Sequence, residues 1–319
     1  MFKLFSLISF ALVVSPVWAL STPKLTTSIK PVAMLVKAIV GDEIPVNVML
    51  AGNVSPHDYQ LRFSDIKLIK ESDLFIWIGP TLESGLSKAI ESHAAMNSIE
   101  LMQMNNLYWP NYIINTNKKN GHESHHHDSH DSHDSHDSNK EPTEGLSNVL
   151  YERDPHIWLN PNNIVAIVNR INTLLGNKYP DHEENFQKNA DHFLLKMKIL
   201  NKDLEKKFIL VKEKGFIVVH DGYRHFTEHY NLKQLGVINL SLDITASAKH
   251  KGKLARISAK SSCIFTDPQH STKAVTQLID ESDIKSKELD LMGDKIALTQ
   301  NSFIEFFENF SKTVIECLE

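Results

Sequence analysis

DHEENFQKNADHFLLKMKILNKDLEKKFILVKEK, Asp181 to Lys214, is the stretch that decides the fold. It contains neither proline nor glycine. Phe186, Ala190, Phe193, Leu194, Met197, Leu200, Leu204 and Phe208 recur three and four residues apart, the spacing that lines one face of an α-helix. The pattern predicts one amphipathic helix of about eight or nine turns. It divides the 319-residue chain near its middle, as an element joining two lobes would.

On either side, short apolar runs alternate with helical ones. LTTSI (Leu25–Ile29) reads as a strand. A helix then opens at Pro31 and ends at Gly41. PVNVML (Pro45–Leu50) is a second strand, Ser64–Ser72 a helix with Ser64 as its cap, and LFIWIG (Leu74–Gly79) an apolar run like a buried parallel strand. ESGLSKAIESHAAM is helical, SIELM a strand, and Ile164–Gly176 a helix with Pro180 beyond it. Past Gly215 the alternation restarts with strands FIVVH, GVINLSL, CIFTD and KELDLM. The expectation is α/β architecture: two (βα)-type lobes with parallel sheets, residues 20–180 and 215–319, joined by the helix at 181–214.

MFKLFSLISFALVVSPVWA (Met1–Ala19) has a charged start, a short apolar run and a small-residue cleavage pattern, Val17-x-Ala19. It reads as a secretory signal peptide and is set apart from the fold. No later stretch is apolar for long enough to span a bilayer. Lys and Arg number 34 against 39 Asp and Glu, a balance that argues against nucleic acid or an anionic membrane as the main partner. Two cysteines, Cys263 and Cys317, favour a disulfide in an oxidising compartment. Two free thiols or a thiolate metal site are the alternative, though no CxxC spacing is present.

HESHHHDSHDSHDSHDS, from His122 to Ser138, carries seven of the 17 histidines: His122, His125, His126, His127, His130, His133 and His136. It has no apolar residue, so it cannot offset chain entropy by burial and is expected to be a mobile loop. With its polar flanks it makes an insertion at 116–148. Neutral imidazoles are ligands for Zn2+, Cu2+ and Ni2+, and Asp128, Asp131, Asp134 and Asp137 would concentrate cations. The tract points to a transition metal and to weak auxiliary binding. By itself it does not choose between enzyme, carrier and store.

Three further histidines sit where a strand gives way to a loop or helix: His57 in SPHDY, His156 in DPHIW and His220 at the end of FIVVHDGY. Ligands bind at the carboxyl ends of strands in open parallel sheets. Three imidazoles completed by water or a carboxylate form a well-known zinc set. Two would come from the first lobe and one from the second, which puts the site in the cleft.

SPHDYQLRFSD, DPHIWLNP, VVHDGYRHF, FTDPQ and the late LDLMGD together resemble the periplasmic zinc-binding component of bacterial ABC metal importers, across essentially the whole mature chain. The resemblance implies two lobes bridged by a rigid helix, with His57, His156 and His220 as metal ligands and no enzymatic activity. It implies Zn2+ as the transported ligand, a membrane permease as partner, a periplasmic monomer and a Cys263–Cys317 disulfide. Manganese-type relatives carry a carboxylate at the third ligand position, so His220 favours zinc. Some relatives place an acidic residue before the first histidine; here that residue is Pro56. The fourth place falls to Asp290 in LDLMGD or to a water. A second metal position known in some relatives aligns with Val237, which cannot serve it.

His225-Phe-Thr-Glu-His229 fits H-x-x-E-H, a zinc peptidase pattern, without any accompanying catalytic constellation. The other rival readings are a manganese-type, buffering or adhesin-like metal-binding protein of the same fold. His93, His182, His192, His250 and His270 have no evident ligand partners and read as structural or exposed.

Overall fold

The computed structural model describes residues 22–50, 54–95, 97–110, 153–238, 256–269 and 284–319. The expected signal peptide and the histidine-rich insertion lie outside the described residues. Among the described residues there are two four-stranded sheets, and every strand pair in them is parallel. The first has the order β2-β1-β3-β4, from β1 (Leu25–Thr27), β2 (Val46–Val48), β3 (Leu74–Trp77) and β4 (Ser98–Glu100). The second repeats it as β6-β5-β7-β8, from β5 (Gly215–Val218), β6 (Lys233–Val237), β7 (Cys263–Thr266) and β8 (Lys285–Glu288). In each sheet the chain leaves the first strand to one side and returns to the other. That leaves a crevice at the carboxyl ends of β1 and β3, and another at those of β5 and β7.

α1 (Lys30–Val40) is apolar nearly all round, and its residues Pro31–Val40 are all buried. Such a helix needs cover on every side; it packs on β1, β2, α4 (Pro161–Lys178), α5 (Glu183–Val211) and α7 (Ser302–Leu318). The one charge in its core, Lys37, donates from Nζ to the carbonyls of Gly41, Asp42 and Ile44 at 3.3, 3.2 and 2.8 Å. Three donors meet three acceptors at the negative end of the helix, which is how the ammonium tolerates burial.

α5 buries Phe186, Ala190, Phe193, Met197, Leu204, Phe208 and Val211 against α1, α4 and α7. Its partners come from both halves of the chain, so residues of both lobes share one apolar core. Polar ties add to it: Lys30 Nζ donates to Asp294 O at 2.6 Å, and Trp158 Nε1 to Leu291 O at 3.1 Å. A large apolar contact of this kind restrains relative motion of lobes. The disulfide Cys263–Cys317, with Cα atoms 5.8 Å apart, fixes α7 to β7.

Several boundaries differ from expectation. Ser64 does not cap a helix: α2 (Phe63–Glu71) starts one residue earlier, and Asp65 Oδ2 accepts the Arg62 N–H at 2.7 Å. α4 runs through Gly176 to Lys178, because the glycine lies against the Glu183 side chain and the stop comes from Pro180. β6 begins at Lys233, before the expected GVINLSL. β8 is the polar Lys285–Glu288, exposed along its length as a charged edge strand, whereas Leu289, Leu291 and Met292 of the expected strand leave the sheet for the core.

Candidate metal centre

His57, His156 and His220 converge. Each offers a ring nitrogen, and those atoms all lie within 4.8 Å of one another. The ring centroids are 5.5, 5.5 and 5.0 Å apart. With Pro56, Trp158, Gln269, Leu291 and Met292 they line a cavity of about 10 Å³, room for one water-sized particle.

Each ring is placed by local sequence. His57 sits in a single 3-10 turn, Pro56–Asp58, which the proline starts. The loop beyond is tied to α2 by the Tyr59 hydroxyl, which donates to Asp65 Oδ2 at 2.7 Å. Burial, together with that carboxylate, pushes the Tyr59 hydroxyl up to about 12, so it stays a donor. Gly85 lies where a Cβ would sit 2.6 Å from the Tyr59 carbonyl oxygen; only glycine allows this approach under the His57 loop.

His156 is 3% exposed and the most constrained of the three. Its Nδ1 lies 2.7 Å from Asp154 Oδ1, which also accepts the His156 backbone N–H at 3.0 Å. A carboxylate partner requires the proton on Nδ1, so Nε2 carries the free lone pair. Burial alone would raise the Asp154 carboxyl, but His156, the hydrogen bonds and His225 hold it below its ordinary value. Trp158 packs against the His156 ring with centroids 5.2 Å apart.

His220 follows β5 by two residues. Its Nδ1 is 3.8 Å from Oδ2 of Asp267, a buried carboxylate at the end of β7. A Cβ on Gly222 would fall 2.9 Å from His220 Cε1, so the ring lies directly over that glycine.

Asp290 is not in the converging group. Its Oδ1 accepts the N–H groups of Met292 and Gly293 at 2.9 and 3.0 Å, and Oδ2 that of Asp294 at 2.6 Å. The carboxylate organises the turn after β8. His225 and His229 do not converge on a common point either. Both lie on α6 (Arg224–His229), but His225 is buried against Asp154 and Asn163 while His229 faces Asn201 of α5. Sequence reasoning passed over Asp154 and Asp267. The carboxylate two residues before a ligand histidine is the signal for the first, and an acidic residue closing an apolar strand is the signal for the second.

The fold and the site together define a two-lobed α/β protein of the solute-binding type with a candidate three-imidazole metal centre. A family model described as the periplasmic zinc-uptake complex component A, ZnuA, matches residues 25–317. The chain is 30% identical over 294 residues to the high-affinity zinc uptake system protein ZnuA of Haemophilus ducreyi, covering 92% of each. It is 26% identical over 316 residues to that of Yersinia pestis, covering 98% of this chain and 97% of the relative. A crystal structure of ZnuA shares the fold with a TM-score of 0.70 at 20% identity, covering 92% of this chain and 98% of that one. The chain belongs to the ZnuA family of periplasmic zinc-uptake components, which is not an enzyme family.

Proposed function

We propose that this protein captures Zn2+ between its lobes through His57, His156 and His220 and delivers it to the membrane permease of an ABC importer. The observation that carries the reading is the convergence within 4.8 Å of three imidazoles, from the 3-10 turn beyond β2, the segment before α4 and the position just past β5. Imidazole suits Zn2+, whereas Mn2+ and Mg2+ favour oxygen-rich sets. Asp290 is committed to three backbone N–H groups, so the fourth place in this reading goes to water. Zinc is the cargo. The protein acts in the periplasm as a monomer after removal of residues 1–19, and no helix of the described residues is long and apolar enough to cross a membrane. His122, His125, His126, His127, His130, His133 and His136 supply weaker auxiliary sites, since binding there must order a polar chain. Residues 20–180 and 215–319 serve as the two lobes, with 181–214 as the bridge.

Zinc titration against a competing chelator tests this. The wild-type protein and a variant lacking residues 121–138 should share one tight site. Adding His57→Ala, His156→Ala and His220→Ala to the deletion should abolish it. Tight binding by that combined variant would remove the assignment.

A further inference from the structure

We propose that His225 is a positioning residue for the zinc ligand His156, acting across the lobe boundary through Asp154. The inference rests on the zinc reading above and adds a residue to it. His225 stands on α6 of the C-terminal lobe and is completely buried. Its Nε2 lies 2.9 Å from the carbonyl oxygen of Asp154, in the N-terminal lobe. A carbonyl only accepts, so that nitrogen must carry a proton.

The other ring nitrogen is fixed independently. Asn163 Oδ1 accepts the Tyr108 N–H at 2.7 Å, which turns the Asn163 amide so that Nδ2 faces the Tyr108 carbonyl at 3.1 Å and His225 Nδ1 at 3.3 Å. Nδ1 is therefore an acceptor and His225 a neutral imidazole with its single proton on Nε2. Burial, which lowers the pKa of His225, favours the same state.

A directed chain results. Tyr108 sets Asn163, Asn163 sets the tautomer of His225, and His225 holds the Asp154 backbone. Asp154 Oδ1 then holds His156 Nδ1 at 2.7 Å and leaves Nε2 facing the cavity. Two more bonds brace α6 on the N-terminal lobe: Asn160 Nδ2 donates to His225 O at 3.3 Å, and the Tyr108 hydroxyl donates to Glu228 Oε2 at 3.0 Å. The H-x-x-E-H pattern thus has a use without a metal of its own. Outer-shell partners of metal ligands commonly carry ten- to hundredfold in affinity, and His225 sits one bond further out than most.

His225→Phe keeps the ring volume and removes both nitrogens; His225→Gln restores a donor near the Nε2 position. With one equivalent of metal, the Phe variant should bind zinc about tenfold or more weakly and shift the d–d bands of the Co2+-loaded protein. The metal-free form should still unfold cooperatively, and the Gln variant should return to within threefold of wild type. Unchanged affinity and bands in the Phe variant, or no recovery with Gln, would overturn the proposal. Should the Phe variant fail to fold, long-range 1H–15N spectra of the zinc-loaded wild type decide. A proton on His225 Nε2 alone supports the chain, and one on Nδ1 refutes it. If instead His156→Ala binds zinc as tightly as wild type, the zinc reading itself fails and the inference falls with it.

Discussion

The two sheets have the same strand order and the same crevice, yet they use it differently. Ser28 N donates to Ile76 O in the first lobe and Val219 N to Phe265 O in the second, each at 3.0 Å, which marks equivalent positions just past the central strands. The next residue is Ile29 in one lobe and His220 in the other. In the first lobe Glu83 closes the crevice. Its Oε2 accepts the N–H groups of Ile78 and Gly79 at 3.1 and 2.9 Å, and the Ser28 hydroxyl donates to Oε1. In the second lobe the crevice holds His220 beside Asp267 and opens on the cavity. Topology offers a binding crevice twice, and side-chain chemistry decides which one is used. The first lobe sends its ligands from the loop after β2 and the segment before α4, outside its own crevice.

The largest expected effect comes from making the second crevice like the first. His220→Ile removes one of three imidazoles. Zinc affinity should fall about a thousandfold, ~4 kcal/mol, while the metal-free protein stays folded. Competition titration with a chelator measures it. A loss of less than tenfold would mean that the crevice of β5 and β7 is not where metal is held.

The lobes also differ covalently, since Cys263 and Cys317 are the chain's two cysteines and pair within the second lobe. Closing a loop across 54 residues gives, in the chain-entropy model, up to about 4 kcal/mol. Cys263→Ala with Cys317→Ala should lower the denaturant-unfolding free energy by ~3 kcal/mol. It should barely change zinc affinity at temperatures where the variant remains folded, because the bond lies between β7 and α7, away from the three imidazoles. Parallel losses in both quantities would show that the tie shapes the site as well as the fold.

Glu83 tests whether the first crevice is closed by a neutral acid. Burial raises its carboxyl from 4.5 to about 7, against the lowering effect of Ser28, Gly79 and Ile78. With the folded value above the unfolded one, the neutral form's contribution is complete below 4.5 and is lost as pH rises through about 7. Glu83→Gln stays neutral throughout. Its carbonyl can accept from Ile78 and Gly79 while its amide donates to Ser28 Oγ. The variant should be more stable than wild type by roughly 3 kcal/mol at pH 8 and nearly equal to it near pH 4.5. Equal stability at both pH values would mean the ionised carboxylate is tolerated there.

Much of this arrangement is legible in sequence, and the gaps have physical causes. The face of α5 reads directly because one side meets core and the other water. α7 carries the same signal in Phe303, Phe306, Phe307, Phe310 and Val314 and is absent from the sequence-based expectations. β8 misleads because an edge strand in solvent is built from charge, while the apolar Leu289–Met292 run packs inward after it. The sequence places the candidate ligands His57, His156 and His220 at strand ends, but only His220 lies within two residues of a strand; His57 sits in the 3-10 turn beyond β2 and His156 just before α4. Their supports do not stand out in sequence, because each depends on a partner distant in the chain. His225 reaches Asp154 from 71 residues away, and Glu83 reaches Ser28 from 55. Spacing along a helix puts His225 and His229 on one face, but the hydrogen bonds of each ring decide what it can bind.

The smallest effect is expected at His229, where the contrast between used and unused histidines can be sharpened. Asn201 Nδ2 donates to Glu205 Oε1 at 2.9 Å, which turns Asn201 Oδ1 toward His229 Nε2 at 3.0 Å and the Tyr230 hydroxyl at 2.8 Å. His229 is therefore a donor to α5. Burial lowers its pKa, with Glu205 partly opposing. A histidine whose folded pKa is depressed favours the fold fully above its unfolded value, 6.5, and loses that contribution as pH falls below it. His229→Gln keeps a donor and cannot titrate. It should cost at most about 1 kcal/mol at pH 7.5, and the deficit should shrink as pH falls toward 5.5, because only the wild type is penalised by protonation. Zinc affinity should stay within twofold. A tenfold loss of zinc binding in this variant would mean that α6 reaches the metal after all, and that the H-x-x-E-H pair shares the role assigned to the crevice at His220.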